Sequence, residues 1–204
     1  MEGLLVQGTL RELAIFDKPD PLDGPYFEET IYVTPSRTDA ATQNALRACA
    51  QEATRAIGLT EGPVHVEMRF NDEGAFIIEL AARTMGGLCP RIIRFAGDHS
   101  LEEVVLRHAC GMELPDLTPQ PGASGVMMLP IPKRGVLREV RGVEKALAVD
   151  GIEDVSISVR AGQEVVPLPE GSRYLGFIFA HAETPAAAET ALRKAHALLE
   201  FEIE

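Results

Sequence analysis

The apolar positions of this chain recur at two periods, and the places where the period changes divide it into elements. Leu4, Leu5 and Val6, then Leu13, Ala14, Ile15 and Phe16, flank Gly8 and predict two short strands around a turn. Asp17 to Pro25 holds three prolines and a glycine, which reads as a rigid loop. An extended pattern resumes at Tyr26 and ends at Pro35. From Thr38 or Asp39 to Ile57, Ala45, Cys49 and Ala53 repeat at every fourth position. Leu46 and Ile57 widen that stripe, and Gly58 follows as a helix stop. A second helix is expected from Ser100 to Gly111, opened by a Ser-x-x-Glu box in Ser100 and Glu103. A third is expected from Thr184-Pro185 to about Glu200, leaving the Glu-rich end as a solvated terminus.

Pro115, Pro119, Pro121 and Gly122 interrupt the pattern and mark a boundary, giving expected domains of 1–116 and 121–204. Beyond it the pattern predicts strands near 123–131, 152–159 and 173–182 with a short helix near 143–149. That order suggests a small α+β sandwich, and the fold class expected for the whole chain is α+β. No internal repeat or low-complexity segment interrupts it.

The segment from Val64 to Leu80 is the most informative. Two alternating runs flank Asp72-Glu73-Gly74, which reads as a three-residue hairpin loop with glycine at its last position. Asn71 then pairs with Ala75. On one face Phe70 meets Phe76, Met68 meets Ile78 and Val66 meets Leu80, an apolar face expected to be core. On the other face Arg69 meets Ile77, Glu67 meets Glu79 and His65 meets Ala81, with Arg83 projecting just beyond.

Two carboxylates directly across a ladder stand roughly 5 Å apart at Cβ, and like charges there are destabilising unless something offsets them. A hard divalent cation, Mg²⁺ or Mn²⁺, would do so, since such ions bind through one or two carboxylates plus substrate phosphates. The alternative is a surface ion-pair network in which Arg69 and Arg83 neutralise the glutamates. The stretch that follows, Arg83-Thr84-Met85-Gly86-Gly87-Leu88-Cys89-Pro90-Arg91, favours the ligand reading. A glycine-bearing loop lets backbone amides approach an anion, and an arginine at its start can clamp an oxyanion.

Composition narrows the remaining choices. The chain of 204 residues is 46% hydrophobic, mostly Ala, Leu, Val and Ile without Trp, so an aliphatic core is expected. Net charge is −12 and the 19 basic residues are scattered, which excludes the basic stripe that nucleic-acid binding requires. Cys49, Cys89 and Cys110 form no CxxC pair, so a structural zinc site is not expected, and Cys89 reads as a passive thiol. No stretch approaches the roughly 20 apolar residues of a membrane span. An odd thiol count without a signal-like N-terminus suggests a cytoplasmic protein.

These residues resemble the ATP-grasp superfamily, in which two acidic residues about a dozen positions apart on adjacent antiparallel strands hold the metals that bridge ATP phosphates. Glu67 and Glu79 match that spacing, and Arg83 matches the arginine that contacts the phosphorylated intermediate. Many members carry Asn two residues after the second glutamate; here Ala81 stands there, so that additional ligand is absent. Glu-Leu-Ala-Ala-Arg-Thr-Met-Gly-Gly, with Phe16-Asp17-Lys18-Pro19 and the segment from Phe27 to Ser36, is similar to the L-amino-acid (dipeptide) ligase branch. The resemblance implies a partial ATP-grasp module, an antiparallel sheet with helices, followed by a small C-terminal domain. It also implies ATP with Mg²⁺ or Mn²⁺ as cofactors, and small-molecule partners: a carboxylate such as an amino acid, and an amine. In its terms Glu67 and Glu79 are metal ligands; Arg83, Gly86 and Gly87 are catalytic; Glu28 or Glu29 binds substrate; Lys18 reads as a contact to a phosphate or substrate carboxylate or as an ordinary loop lysine. The expected chain is the C-terminal portion of a ligase, inactive without its N-terminal region. A biotin-carboxylase-like or purine-biosynthetic carboxylase, or a non-catalytic module, is the alternative. His65, beside the glutamates, is expected to support them or to pack.

Overall fold

The computed structural model describes residues 1–21 and 30–204. Its elements run β1 (Glu2–Val6), β2 (Thr9–Ala14), β3 (Ile31–Thr34), α1 (Ala40–Ala56), β4 (Gly62–Asn71) and β5 (Gly74–Ala81). They continue with β6 (Arg94–Phe95), β7 (His99–Ser100), α2 (Leu101–Ala109), β8 (Ala123–Leu129), β9 (Gly135–Arg141) and α3 (Val143–Leu147). Last come β10 (Ile152–Ile157), β11 (Glu164–Val165), β12 (Gly176–Ala182), α4 (Pro185–His196) and β13 (Glu200–Ile203). Short 3₁₀ turns occupy Cys89–Ile92 and Ala96–Asp98. The architecture is α+β with antiparallel sheets, as expected.

The chain divides into two compact units. Met1–Phe16 with Pro35–Pro121 make the first, and Asp17–Thr34 with Gly122–Glu204 make the second. Residues 17–21 and 30–34 thus belong with the second unit, where β3 pairs with β8.

In the first unit the sheet order is β2-β1-β4-β5, every pair antiparallel. Leu5, Ile15, Ala50, Val64 and Val66 form its core, with Met68 and Leu80 packed at the margin. Each Leu, Ile or Val side chain among them, fully removed from water, contributes about 1.5–3 kcal/mol. Asp39 caps α1, accepting from the Thr42 amide at 2.8 Å. The buried stripe of α1 is Thr42, Leu46, Ala50 and Thr54, one position on from the expected Ala45, Cys49 and Ala53, and Ile57 is 61% exposed. Alanines surround this helix and mark no distinct face. The buried hydroxyls are satisfied locally, Thr54 Oγ1 donating to the Gln51 carbonyl at 2.9 Å, so burying them costs little. Ser100 caps α2 as expected, accepting from the Glu103 amide at 3.3 Å, whereas the Glu103 carboxylate pairs with His99 and Arg107.

In the second unit a sheet of order β10-β12-β8-β3 is covered by α4, and a smaller sheet β11-β9-β13 completes it. Leu129, Leu137, Leu175, Ile178 and Leu192 lie in an aliphatic core. Helix α4 begins at Thr184-Pro185 as expected but ends at His196, and the Glu-rich tail is strand β13, paired with β9. Alternation explains the correction. Ile203 is buried and Phe201 packs on the core, while Glu202 and Glu204 face outward to Arg141 and Arg138 at 2.9 and 2.8 Å. Strand β9 is absent from the expected elements because Arg138, Glu139 and Arg141 mask its single fully buried position, Leu137.

Candidate metal and phosphate site

The β4–β5 hairpin carries the site. Along β4, Val64 and Val66 enter the core, so His65 and Glu67 take the opposite face. His65 pairs with Ala81 and Glu67 with Glu79, the register expected from the sequence. Toward the tip the register differs by one. Met68 pairs with Ile77, Arg69 with Phe76, Phe70 with Ala75 and Asn71 with Gly74, leaving Ile78 as an extra residue in a bulge. The turn is therefore Asp72-Glu73 alone. Asn71 Oδ1 accepts from the Glu73 amide at 2.8 Å, and Gly74 leaves the turn at φ 125°, open to glycine only.

The tip is also not core. Phe70, Phe76, Ile77 and Ile78 are between 36% and 54% exposed. Strand β1 pairs with β4 over Gly62 to His65, and the Met1 carbonyl accepts from the Val66 amide at 2.9 Å.

Behind the two glutamates lies a buried polar chain. Glu2, on β1, is the cross-strand partner of His65 and is 1% exposed. Its Oε1 pairs with His65 Nδ1, and its Oε2 accepts from the Met85 amide at 3.2 Å. The other ring nitrogen, Nε2, stands 3.2 Å from Glu67 Oε1. Ionised carboxylates only accept, so each draws on an N–H of this ring. Burial by itself would lower the His65 pKa; the hydrogen bonds to Glu2 and Glu67 and the Glu2 charge outweigh it and hold the pKa above the usual histidine value. Glu2 was not singled out from the sequence. Its only signal there is a carboxylate opening an otherwise apolar strand, Glu2-Gly3-Leu4-Leu5-Val6.

Arg83 follows β5, its Nη2 3.5 Å from Glu79 Oε1 and its Nη1 donating to the Thr84 carbonyl at 2.9 Å. Gly86 and Gly87 are exposed in the next loop, before buried Cys89. Glu67, Glu79, Arg83 and this loop thus share one end of the hairpin. Lys18 belongs to the second unit, with its Nζ over the Tyr32 ring at 5.2 Å. Glu28 and Glu29 lie outside the described residues. His99, His108 and His181 are engaged with Glu103, Glu61 and Ser124, and His196 is half-buried, its pKa lowered by burial.

Two hard carboxylates suit Mg²⁺ or Mn²⁺ chemically. Among the described residues no group of three or more His, Cys, Asp or Glu could hold a metal ion by itself. A cation here would need oxygens from a bound ligand, the usual requirement of Mg²⁺ with nucleotide phosphates. No helix among the described residues is long and apolar enough to cross a membrane.

Residues 1–91 match the family described as ATP-grasp domain, and residues 127–204 match L-amino acid ligase C-terminal domain 2. The uncharacterized protein y4rH of Sinorhizobium fredii is 27% identical over 153 residues, covering 75% of this chain and 32% of that protein. The L-amino acid ligase from Bacillus licheniformis superposes with a TM-score of 0.86 at 26% identity, covering all of this chain and 51% of its own. Phosphoribosylglycinamide synthetase from Anaerococcus prevotii shares the fold at TM-score 0.79 and 14% identity, over all of this chain and 52% of its own. The chain thus spans about half the length of the solved structures it matches and a third of the curated relative. Nearly half of the chain, residues 1–91, is thus similar to the ATP-grasp domain family. Within that class its similarity runs to the L-amino acid ligases, in both the sheet that carries the glutamates and the unit that ends the chain.

Proposed function

We propose that this chain is the C-terminal part of an ATP-dependent carboxylate–amine ligase that forms an amide or peptide bond through an acylphosphate. The observation that carries the reading is the cross-strand pair Glu67 and Glu79 with Arg83 beside it. Glu67 and Glu79 would hold Mg²⁺ or Mn²⁺, which when bound neutralises charge on the ATP phosphates during phosphoryl transfer. The γ-phosphoryl group passes to a carboxylate oxygen and ADP departs. The amine nitrogen then attacks the acyl carbon, the C–N bond forms and phosphate leaves. The Arg83 guanidinium holds the acylphosphate oxygens and then the tetrahedral oxyanion, assisted by amides near Gly86 and Gly87. Lys18 and Glu28 or Glu29 contact the substrates, small molecules such as amino acids.

Residues 1–116 would complete the ATP-grasp domain and 121–204 would form the small C-terminal domain. The activity belongs to the whole enzyme, a cytoplasmic one, and this chain alone is inactive. Similarity of residues 127–204 to the L-amino acid ligase domain supports a ligase over a carboxylase. The test is ADP release by the whole enzyme with Mg²⁺ and ATP, offered amino acids or bicarbonate, beside its Glu79→Gln variant. Amino-acid-dependent release that the variant nearly loses is expected. Bicarbonate-dependent release, or a variant retaining most of the rate, overturns the assignment.

A further inference from the structure

We propose that Glu2 and His65 are positioning residues for Glu67, fixing the direction in which its carboxylate meets a divalent cation; this rests on the metal reading above. The chain of contacts is continuous and two of its three members are buried. Glu2 is 1% and His65 7% exposed, so neither has an alternative partner in water. Glu2 is itself held at both oxygens, one on His65 Nδ1 and one on the Met85 amide, which pins the imidazole at its far side. With Nδ1 fixed, ring rotation is blocked, and Nε2 can address only the Glu67 Oε1 that stands 3.2 Å away. Among the described residues Glu79 has no comparable support. It is 53% exposed and its described ion pair is with Arg83, itself 56% exposed. The two carboxylates therefore differ in kind: Glu67 is set by the fold, and Glu79 is free to adjust around the ion.

A buried carboxylate placed only to stabilise the sheet is the competing explanation. An uncompensated Glu2 would be costly there, and a buried ion pair is by itself weak evidence of stabilisation. What stability does not require is that the pair point at a third carboxylate on the face where ligands converge. Hydrogen bonds that orient metal-binding carboxylates are worth about 10–100-fold in metal affinity.

The experiment titrates Mn²⁺ into the whole enzyme with ADP present, whose phosphates supply the remaining oxygens, and reads paramagnetic broadening of the β4 and β5 amides, with melting temperature as control. The unmodified enzyme should broaden around Glu67 and Glu79, and Glu67→Gln should abolish this. His65→Phe should weaken the apparent affinity by about tenfold, and His65→Gln, which keeps a donor, should restore part of it. Because His65→Phe leaves Glu2 buried without the ring, Glu2→Gln serves as a second variant, whose one amide oxygen can accept from Nδ1 or from the Met85 amide but not from both. Its expected effect is a severalfold weakening with the ¹³C shift of the Glu67 carboxylate displaced in metal-free protein. Folded His65→Phe and Glu2→Gln enzymes that bind Mn²⁺ as tightly as the unmodified enzyme, while Glu67→Gln does not bind, overturn the positioning role and leave the metal site standing. Equal Mn²⁺ broadening in the Glu67→Gln enzyme, or none in any of them, removes the metal reading and this inference with it.

Discussion

Glu67 and Glu79 are cross-strand partners at the last pair before the Ile78 bulge. On the turn side of that bulge every pairing is displaced by one from a continuous ladder; on the site side the two carboxylates remain opposed. Like charges so placed oppose pairing, so their presence carries a stability consequence distinct from any catalytic one.

Replacing Glu79 by Gln removes both that repulsion and an exposed ion pair of similar size, so unfolding free energy in metal-free buffer should stay within about 0.5 kcal/mol of the original. Urea denaturation checks this. A loss on the order of 2 kcal/mol would show the carboxylate to be structural.

Deleting Ile78 should be tolerated. Without it, Glu67 still faces Glu79 and Met68 still faces Ile77 in one uninterrupted register, and the Asp72-Glu73 turn keeps its length. Amide exchange across β4 and β5 should be retained. Loss of protection at Val66 would mean that the extra residue is needed for pairing.

Two glycines with left-handed backbone should respond differently to alanine. Gly58 has φ 77° and open space where a methyl group would stand, so Gly58→Ala should cost about 1–2 kcal/mol from conformation alone. At Gly142, φ 84°, a Cβ would stand 1.9 Å from the Leu198 carbonyl oxygen, adding roughly 1–3 kcal/mol or more as backbone is displaced. Comparable melting of the two variants would contradict this.

The two units should answer pH in opposite senses near neutrality. His65 has its pKa raised by Glu2 and Glu67 against the effect of burial, so its contribution is complete below the unfolded value of about 6.5 and fades as pH rises through the folded value. His196 has its pKa lowered by burial, so its contribution is present above about 6.5 and is lost as pH falls through its folded value. Hydrogen exchange corrected for intrinsic rates, followed at Val66 and at Ile178 between about pH 5 and 8, reads the two units separately. His65→Gln and His196→Gln should each flatten the profile of its own unit; a profile unchanged by its variant would refute the linkage.

The sequence by itself determined most local structure and the outline of the site. Caps at Asp39, Ser100 and Thr184 are short-range chemistry and appear where the side chains predict them. Alternation puts Glu67 and Glu79 on the face away from Val64 and Val66, and their pairing holds although the expected three-residue loop does not, because the Ile78 bulge offsets the shorter turn. Only the tertiary structure decided the remainder. The Ile78 bulge and the exposure of Phe70 and Phe76 at the tip are part of it, since alternation alone does not reveal them. The Glu-rich end is a strand because β9 supplies Arg138 and Arg141 from more than 60 positions away. Glu2 meets His65 across 63 positions of sequence, and through it Glu67, a contact that exists only once β1 lies against β4. Local pattern records which faces are apolar; which polar groups meet on the other face depends on strand order, and strand order is a property of the packed sheet.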